Sequence, residues 1–104
     1  MTDIYRAISD PNRRRILQML SQHEYTQSEI VGTFTISQPA VKKHLNILLE
    51  EQLIQERKEG RFRYYRLNKP RFEKSYERLQ KEMELILDQK LASLKHYLEG
   101  ELKE

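Results

Sequence analysis

The chain has 104 residues, 19 of them Lys or Arg and 16 Asp or Glu, with 38% hydrophobic content and no cysteine. That length suits one compact domain with a thin core, and the missing cysteines exclude disulfides and thiolate metal sites. The N-terminus is polar and no apolar run approaches the ~20 residues of a membrane span, so a cytoplasmic protein is expected.

The net charge of +3 is unevenly spread. Residues 1–70 carry 12 Lys/Arg against 8 Asp/Glu, and residues 71–104 carry 7 against 8. A polyanion-binding surface, if present, belongs in the first two-thirds of the chain. Charge alone describes a mildly basic protein and nothing more specific.

Ile4 to Ile8 reads as a short helix with Ile4, Ala7 and Ile8 on one face. Asp10-Pro11 then starts a second helix, Asp as N-cap and Pro at the first helical position. It runs to about Gln22 and buries Ile16, Leu17 and Leu20. Thr26-Gln27-Ser28-Glu29 has the capping-box pattern and opens a third helix that ends near Phe34. Ser37 can cap a fourth, with Pro39 in its first turn, where a missing N–H costs nothing. Val41, Leu45, Leu48 and Leu49 form its apolar stripe, and Gln38, Lys42, Lys43 and Asn46 lie opposite.

Leu53-Ile54 begins an extended segment. Gln55 to Lys58 and Arg61 to Leu67 read as the strands of a hairpin, with Gly60 as the turn residue needing positive φ. From Pro70 to about Gly100 the apolar residues Phe72, Tyr76, Leu79, Met83, Ile86, Leu87, Leu91, Leu94 and Leu98 recur every three or four positions. A helix of ~30 residues would span ~45 Å, longer than so small a head can cover. Part of its stripe, from Leu79, Met83 and Leu87 to Leu91, Leu94 and Leu98, therefore calls for a second chain. The expected architecture is mainly α: a winged helix-turn-helix of about five helices with a two-stranded wing. It forms a single domain, with residues 1–69 as head and residues 70–104 as dimerisation helix.

Two helices joined by a turn of about three residues, the second Ser-capped and followed by a basic hairpin, point to DNA. The helix from Gln38 would lie in the major groove, with Gln38 suited to adenine and Lys42 and Lys43 to guanine or phosphate. Its free N–H groups and dipole at Ser37-Gln38 suit a phosphate oxygen. The hairpin would gather Arg57, Lys58, Arg61 and Arg63 over the backbone or minor groove. Each piece alone has a plainer meaning: a cap, a solvated face, a charged edge that resists aggregation.

In these stretches the sequence resembles the ArsR/SmtB-type winged-helix repressors, over nearly the whole chain. They are Ala7-Ile8-Ser9-Asp10-Pro11-Asn12-Arg13-Arg14-Arg15-Ile16-Leu17, Ile36-Ser37-Gln38-Pro39-Ala40-Val41-Lys42-Lys43-His44-Leu45-Asn46-Ile47-Leu48, and the wing Arg57 to Leu67. The resemblance implies a homodimer built from the first and last helices, with Ile4 and Ile8 joining the long stripe. It also implies an inverted-repeat operator and, usually, repression. The DNA-contacting set it suggests is Ser37, Gln38, Pro39, Ala40, Lys42, Lys43, His44, Arg57, Lys58, Arg61, Arg63 and Tyr65. His44 is expected to touch phosphate or pack against the wing. Val31 and Thr35 stand where such proteins commonly have Ala and Gly, which suggests a slightly altered bend.

Many such repressors sense metals through cysteines on the third helix, which here is Gln27 to Phe34 and holds none. Others use an Asp-x-His and a His-x-x-Glu pair on the last helix. Here Asp88-Gln89-Lys90 lacks the His, and His96-Tyr97-Leu98-Glu99 is wrongly spaced from it. His23 and His44 are too scattered to share an ion. No metal, no cofactor and no catalytic motif is expected. Tyr64-Tyr65 could stack on RNA bases, but two short strands make a poor platform. The competing reading from another class is a winged-helix module whose long helix pairs with a different protein.

Overall fold

A computed structural model describes residues 2–102. Helix α1 (Ile4–Ile8) is capped by Asp3, whose side chain accepts from the Arg6 N–H. Helix α2 (Pro11–Leu20) is capped by Asp10, which accepts from the Asn12 N–H at 2.7 Å. A two-residue strand β1 (Tyr25–Thr26) follows and runs directly into α3 (Gln27–Thr33). There Thr26 and Glu29 form the reciprocal capping box, and the Thr26 N–H and hydroxyl hold the Glu29 carboxyl below the usual carboxylate range. Helix α4 (Gln38–Glu50) starts at Ser37, whose Oγ accepts from the Ala40 N–H.

The turn between α3 and α4 forms without any left-handed residue. Among the described residues only Gln52 and Gly60 have positive φ. Thr35 and Val31 are thus unstrained, and Val31 packs its branched side chain against the core.

Helix α4 ends in a Schellman motif, with Leu53 N–H on the Leu48 carbonyl and Gln52 N–H on the Leu49 carbonyl. Gln52 sits at the left-handed position with φ 61°, where glycine is the usual occupant. Strands β2 (Ile54–Glu59) and β3 (Phe62–Leu67) make the hairpin, Glu59 facing Phe62 across a turn in which Gly60 takes φ 60°.

The expected two-stranded wing is the β2–β3 hairpin, and β1 adds a third antiparallel strand to give the order β1-β3-β2. Tyr25 pairs with Tyr65 and Thr26 with Tyr64. A two-residue strand leaves no readable alternation, and only its pairing with β3 defines it. β3 is thereby central, and its inward side closes the core of Ile16, Leu20, Ile30, Val41, Leu45, Leu48, Leu53, Ile54 and Tyr65.

Helix α5 (Lys69–Leu102) has 34 residues, or ~51 Å at 1.5 Å per residue. Only its first turns meet the head, through Phe72, Leu79 and the buried Ser75. Beyond them Met83, Leu87, Leu94 and Leu98 are 44%, 55%, 53% and 47% exposed, as are Tyr76, Leu85, Ile86 and Tyr97 to similar degrees. The side chain of Leu91, also expected on this stripe, lies outside the described residues. Three expected interface residues, Leu79, Ile4 and Ile8, pack against the chain's own core. Ile4 is only 5% exposed, because α1 folds back and uses it in its own core; Ile8 is half-buried against the same cluster. Tyr5 is the exposed apolar residue of α1, its hydroxyl donating to Glu82 on α5. Among the described residues no helix is long and apolar enough to cross a membrane.

Candidate nucleic-acid interface

An open groove of about 470 Å³ lies between the start of α3, the first turns of α4 and the wing. Thr26, Gln27, Ser28, Gln38, Lys42, Arg61, Phe62 and Arg63 border it. Ser37, Gln38, Pro39, Lys42 and Lys43 are exposed at or near the N-terminal end of α4, and Ala40 is half-buried beside them. Val41, Leu45 and Leu48 are fully buried and Lys42 and Lys43 lie off that stripe; Gln38 shares the stripe's side by register and is exposed because it is the first residue of α4, beyond the packed part of the helix. Lys42, Lys43, Lys58 and Arg61 form no ion pair among the described residues. Arg63 is loosely paired with Glu56 at 3.8 Å.

The hairpin does not gather its four cations on one side. Strand register puts Lys58 opposite Arg63 and Arg57 opposite Tyr64, so Arg57 and Arg63 project from opposite faces. Arg57 donates to Glu24 at 2.6 Å and 3.2 Å and to Glu59 at 2.5 Å, and it stacks 4.4 Å above the Tyr64 ring. These hydrogen bonds, Glu24 first and then Glu59, push the guanidinium pKa up. The Arg57 bond holds the Glu24 carboxyl down in turn. Its charge is satisfied within the protein and lies off the groove.

Tyr65 also departs from expectation. It is 1% exposed, its ring in the core and its hydroxyl 3.2 Å from Gln27 Oε1. Burial, then the nearby Glu56 charge, raises its pKa. Alternation along β3 turns Tyr65 inward because Leu67 and Ile54 share that face. It cannot reach a phosphate.

His44 neither faces the groove nor packs against the wing. It is half-buried on the other side of α4, its Nδ1 3.0 Å from Arg13 Nη1 and its Nε2 3.9 Å from Asp10 Oδ1. Asp10 is pushed up by burial, but the Asn12 N–H and the nearby Arg13 charge outweigh this and leave it below the usual carboxylate range.

Six groove residues were outside the expected contact set: Thr26, Gln27, Ser28, Val31, Gly32 and Phe62. Gln27 and Ser28 follow a helix cap, where first-turn side chains commonly line a ligand groove, so a signal existed. Phe62, 50% exposed next to the wing turn, carried none beyond its strand propensity.

Residues 10–56 match the model of the bacterial regulatory protein family arsR. The chain is 43% identical over 68 residues to the transcriptional repressor SdpR of Bacillus subtilis strain 168, covering 65% of this chain and 76% of that protein. The chain belongs to the arsR family of bacterial regulatory proteins.

This arsR-family chain is also 34% identical over 68 residues to the arsenical resistance operon repressor of Staphylococcus xylosus, covering 65% of each. It thus spans slightly under two thirds of that repressor's length. Among solved structures, an ArsR-like transcriptional regulator from Rhodococcus sp. RHA1 superposes with a TM-score of 0.72 at 29% identity, over 93% of this chain and 88% of that one. A possible transcriptional regulator for arsenical resistance gives 0.72 at 33% identity, over 78% and 84%. The winged helix-turn-helix architecture and a regulatory rather than enzymatic role follow from this membership. Among the described residues of this arsR-family chain, no three His, Asp or Glu side chains lie close enough together to hold a metal ion.

Proposed function

We propose that this protein is a sequence-specific double-stranded DNA-binding transcriptional repressor, acting in the cytoplasm as a homodimer on an inverted-repeat operator. The observation that carries the reading is the groove where the exposed Gln38–Lys42 edge of α4 converges with Arg61 and Arg63 of the wing. Gln38 offers the bidentate amide that suits adenine in the major groove; Lys42 and Lys43 reach guanine or phosphate. Ser37, Pro39 and Ala40 bring the capped helix end close to the backbone. Lys58, Arg61 and Arg63 contribute charge without base specificity. Tyr65, His44 and Arg57 are not assigned contacts.

The dimer is supported by the apolar face of α5 beyond Leu79. Burying a Leu or Met side chain stabilises by roughly 1.5–3 kcal/mol, so the exposed set Met83, Ile86, Leu87, Leu94 and Leu98 offsets the cost of association. A two-fold axis then sets the recognition helices about one DNA turn, ~34 Å, or a multiple apart.

The test is selection of duplexes from random-sequence DNA by the purified protein, followed by footprinting and sedimentation. Recovery of an imperfect inverted repeat bound by two chains is expected. Gln38→Ala should cost about 1–3 kcal/mol on that operator and relax preference at one position. Failure to enrich any duplex, with the chain paired instead to another protein through α5, refutes the DNA reading.

A further inference from the structure

A charged residue sits almost fully inside the head, three, four and seven positions before Ile16, Leu17 and Leu20 on the buried face of α2. Arg13 is 8% exposed. Its Nε donates to the Ala7 carbonyl at 3.1 Å, and its Nη2 donates to the Arg6 carbonyl at 3.0 Å and to Ser9 Oγ at 3.1 Å. Three bonds thus lock the guanidinium plane onto the end of α1 and the link that follows. The remaining arm, Nη1, is aimed out of that nest at His44 on α4, 3.0 Å from Nδ1.

The chemistry of that last contact is one-directional. A guanidinium has donors and no lone pair, so Nδ1 of His44 must accept. The ring N–H is then at Nε2, which lies 3.9 Å from Asp10 Oδ1. Asp10 is itself fixed as the cap of α2. His44 is therefore held by one directional donor from α2, with the α2 cap Asp10 3.9 Å from its Nε2, beyond hydrogen-bond reach, and both Arg13 and Asp10 are anchored to backbone.

We propose that Arg13 and His44 form a latch that fixes the direction of α4, making His44 a positioning residue for base readout although it lies off the groove. The inference rests on the DNA-binding reading above and deepens it. The other directional contacts of α4, Arg6 to Glu50 and to Glu51, lie at its C-terminal end; nearer Gln38 its attachment is apolar, through Val41, Leu45 and Leu48, and apolar contact is non-directional. Gln38 lies six residues before His44, or ~9 Å along the axis. A tilt of about 10° about that point moves it by about 1.5 Å, while hydrogen-bond lengths span only about 0.5 Å. A directional bond at His44 therefore controls whether Gln38 meets a base edge. Exposed cations that meet phosphates are far more tolerant of the same movement.

The experiment compares His44→Asn and His44→Leu in the full chain. Asn presents a carbonyl oxygen at the branch position that Nδ1 occupies, and Leu has the same shape without an acceptor. Two quantities are read at a temperature where both variants are folded by circular dichroism. One is the affinity ratio between a duplex selected with the wild-type protein and a random duplex. The other is hydrogen-exchange protection of the α4 amides in the absence of DNA.

His44→Leu should lose about tenfold in the affinity ratio, as expected for loss of a hydrogen bond to a charged group, with little change on random DNA. It should also lose α4 protection, and His44→Asn should restore both. An unchanged ratio in His44→Leu overturns the latch, as does a folded His44→Asn variant that behaves like the Leu variant. A wild-type protein that selects no duplex counts against the DNA reading instead. The latch is then judged on exchange alone, where unchanged protection in His44→Leu overturns it.

Discussion

The two faces of the wing give a quantitative test of which cations meet DNA. Arg61→Ala, Arg63→Ala and Arg57→Ala each remove one positive charge from the same hairpin, so net charge cannot tell them apart. The structure does. Arg57 is consumed by Glu24 and Glu59 on the outer face, whereas Arg61 and Arg63 border the groove. Each phosphate contact contributes about 0.9 to the slope of log affinity against log salt. A homodimer carries every substitution twice, so losing one contact per chain should flatten the slope by about 1.8. Between 50 and 200 mM salt the wild-type protein should lose roughly 12-fold more affinity than either groove-side variant. Arg57→Ala should leave the slope unchanged, with at most a small uniform loss through the weakened field. The assay is fluorescence anisotropy on a labelled duplex at four or more salt concentrations. A slope for Arg57→Ala that falls as far as that for Arg63→Ala refutes the assignment of faces. A fall of only about 0.9 in the groove-side variants argues that one chain, not two, engages the DNA.

The other predictions concern stability and assembly. Gln52→Gly should stabilise by about 0.5–1 kcal/mol, because the left-handed conformation costs a side chain more than glycine loses in chain entropy. A lowered urea midpoint would show that the Gln52 side chain contributes something the backbone argument omits. Asp10→Asn keeps a capping side chain but removes a carboxylate whose folded pKa lies below its usual value. A depressed folded pKa gives stability that is present above the usual carboxylate range and lost as pH falls through it. Wild-type protein should therefore exceed the Asn variant in urea stability at pH 7, and the gap should close below about pH 4. A gap that widens in acid reverses the sign and sinks the account. Leu87→Glu, 55% exposed on α5, should shift sedimentation from dimer to monomer at micromolar concentration without changing the melting of the head. A dimer of wild-type strength in that variant would place the interface elsewhere.

How much was legible before the structure depended on the range of the interaction. Asp10, Thr26 with Glu29, Ser37 with Pro39, and Gly60 each act on backbone within about four residues, so local sequence determined where α2, α3, α4 and the hairpin turn begin. The apolar periods of α4 and α5 were equally local, and the excess of apolar surface on α5 could be foreseen from its length against the size of the head. The motifs around Asp10, Ser37 and Gly60 also carried the family resemblance.

What the tertiary structure decided were the questions of facing. Both sides of the hairpin hold aromatic and charged residues, so alternation alone does not tell whether Tyr64 or Tyr65 goes inward. The docking of Ile54 and Leu67 on the core settles it, and sends Arg57 away from Arg63. Strand β1 exists only because β3 offers it an edge. Ile4 reads as a surface apolar residue until α1 folds against its own core, tied there by the Asp3 N–H and Arg6 on the buried Glu51. Arg13 is the first of three consecutive arginines, and although its spacing from Ile16, Leu17 and Leu20 puts it on the buried face of α2, its charge alone argues for water. It goes inside because carbonyls from the end of α1 and an imidazole from α4 together satisfy a charge that could not otherwise leave water. Those partners come from two separate stretches of chain, residues 6–9 and His44, and no spacing along the sequence announces that folding will bring them to one guanidinium.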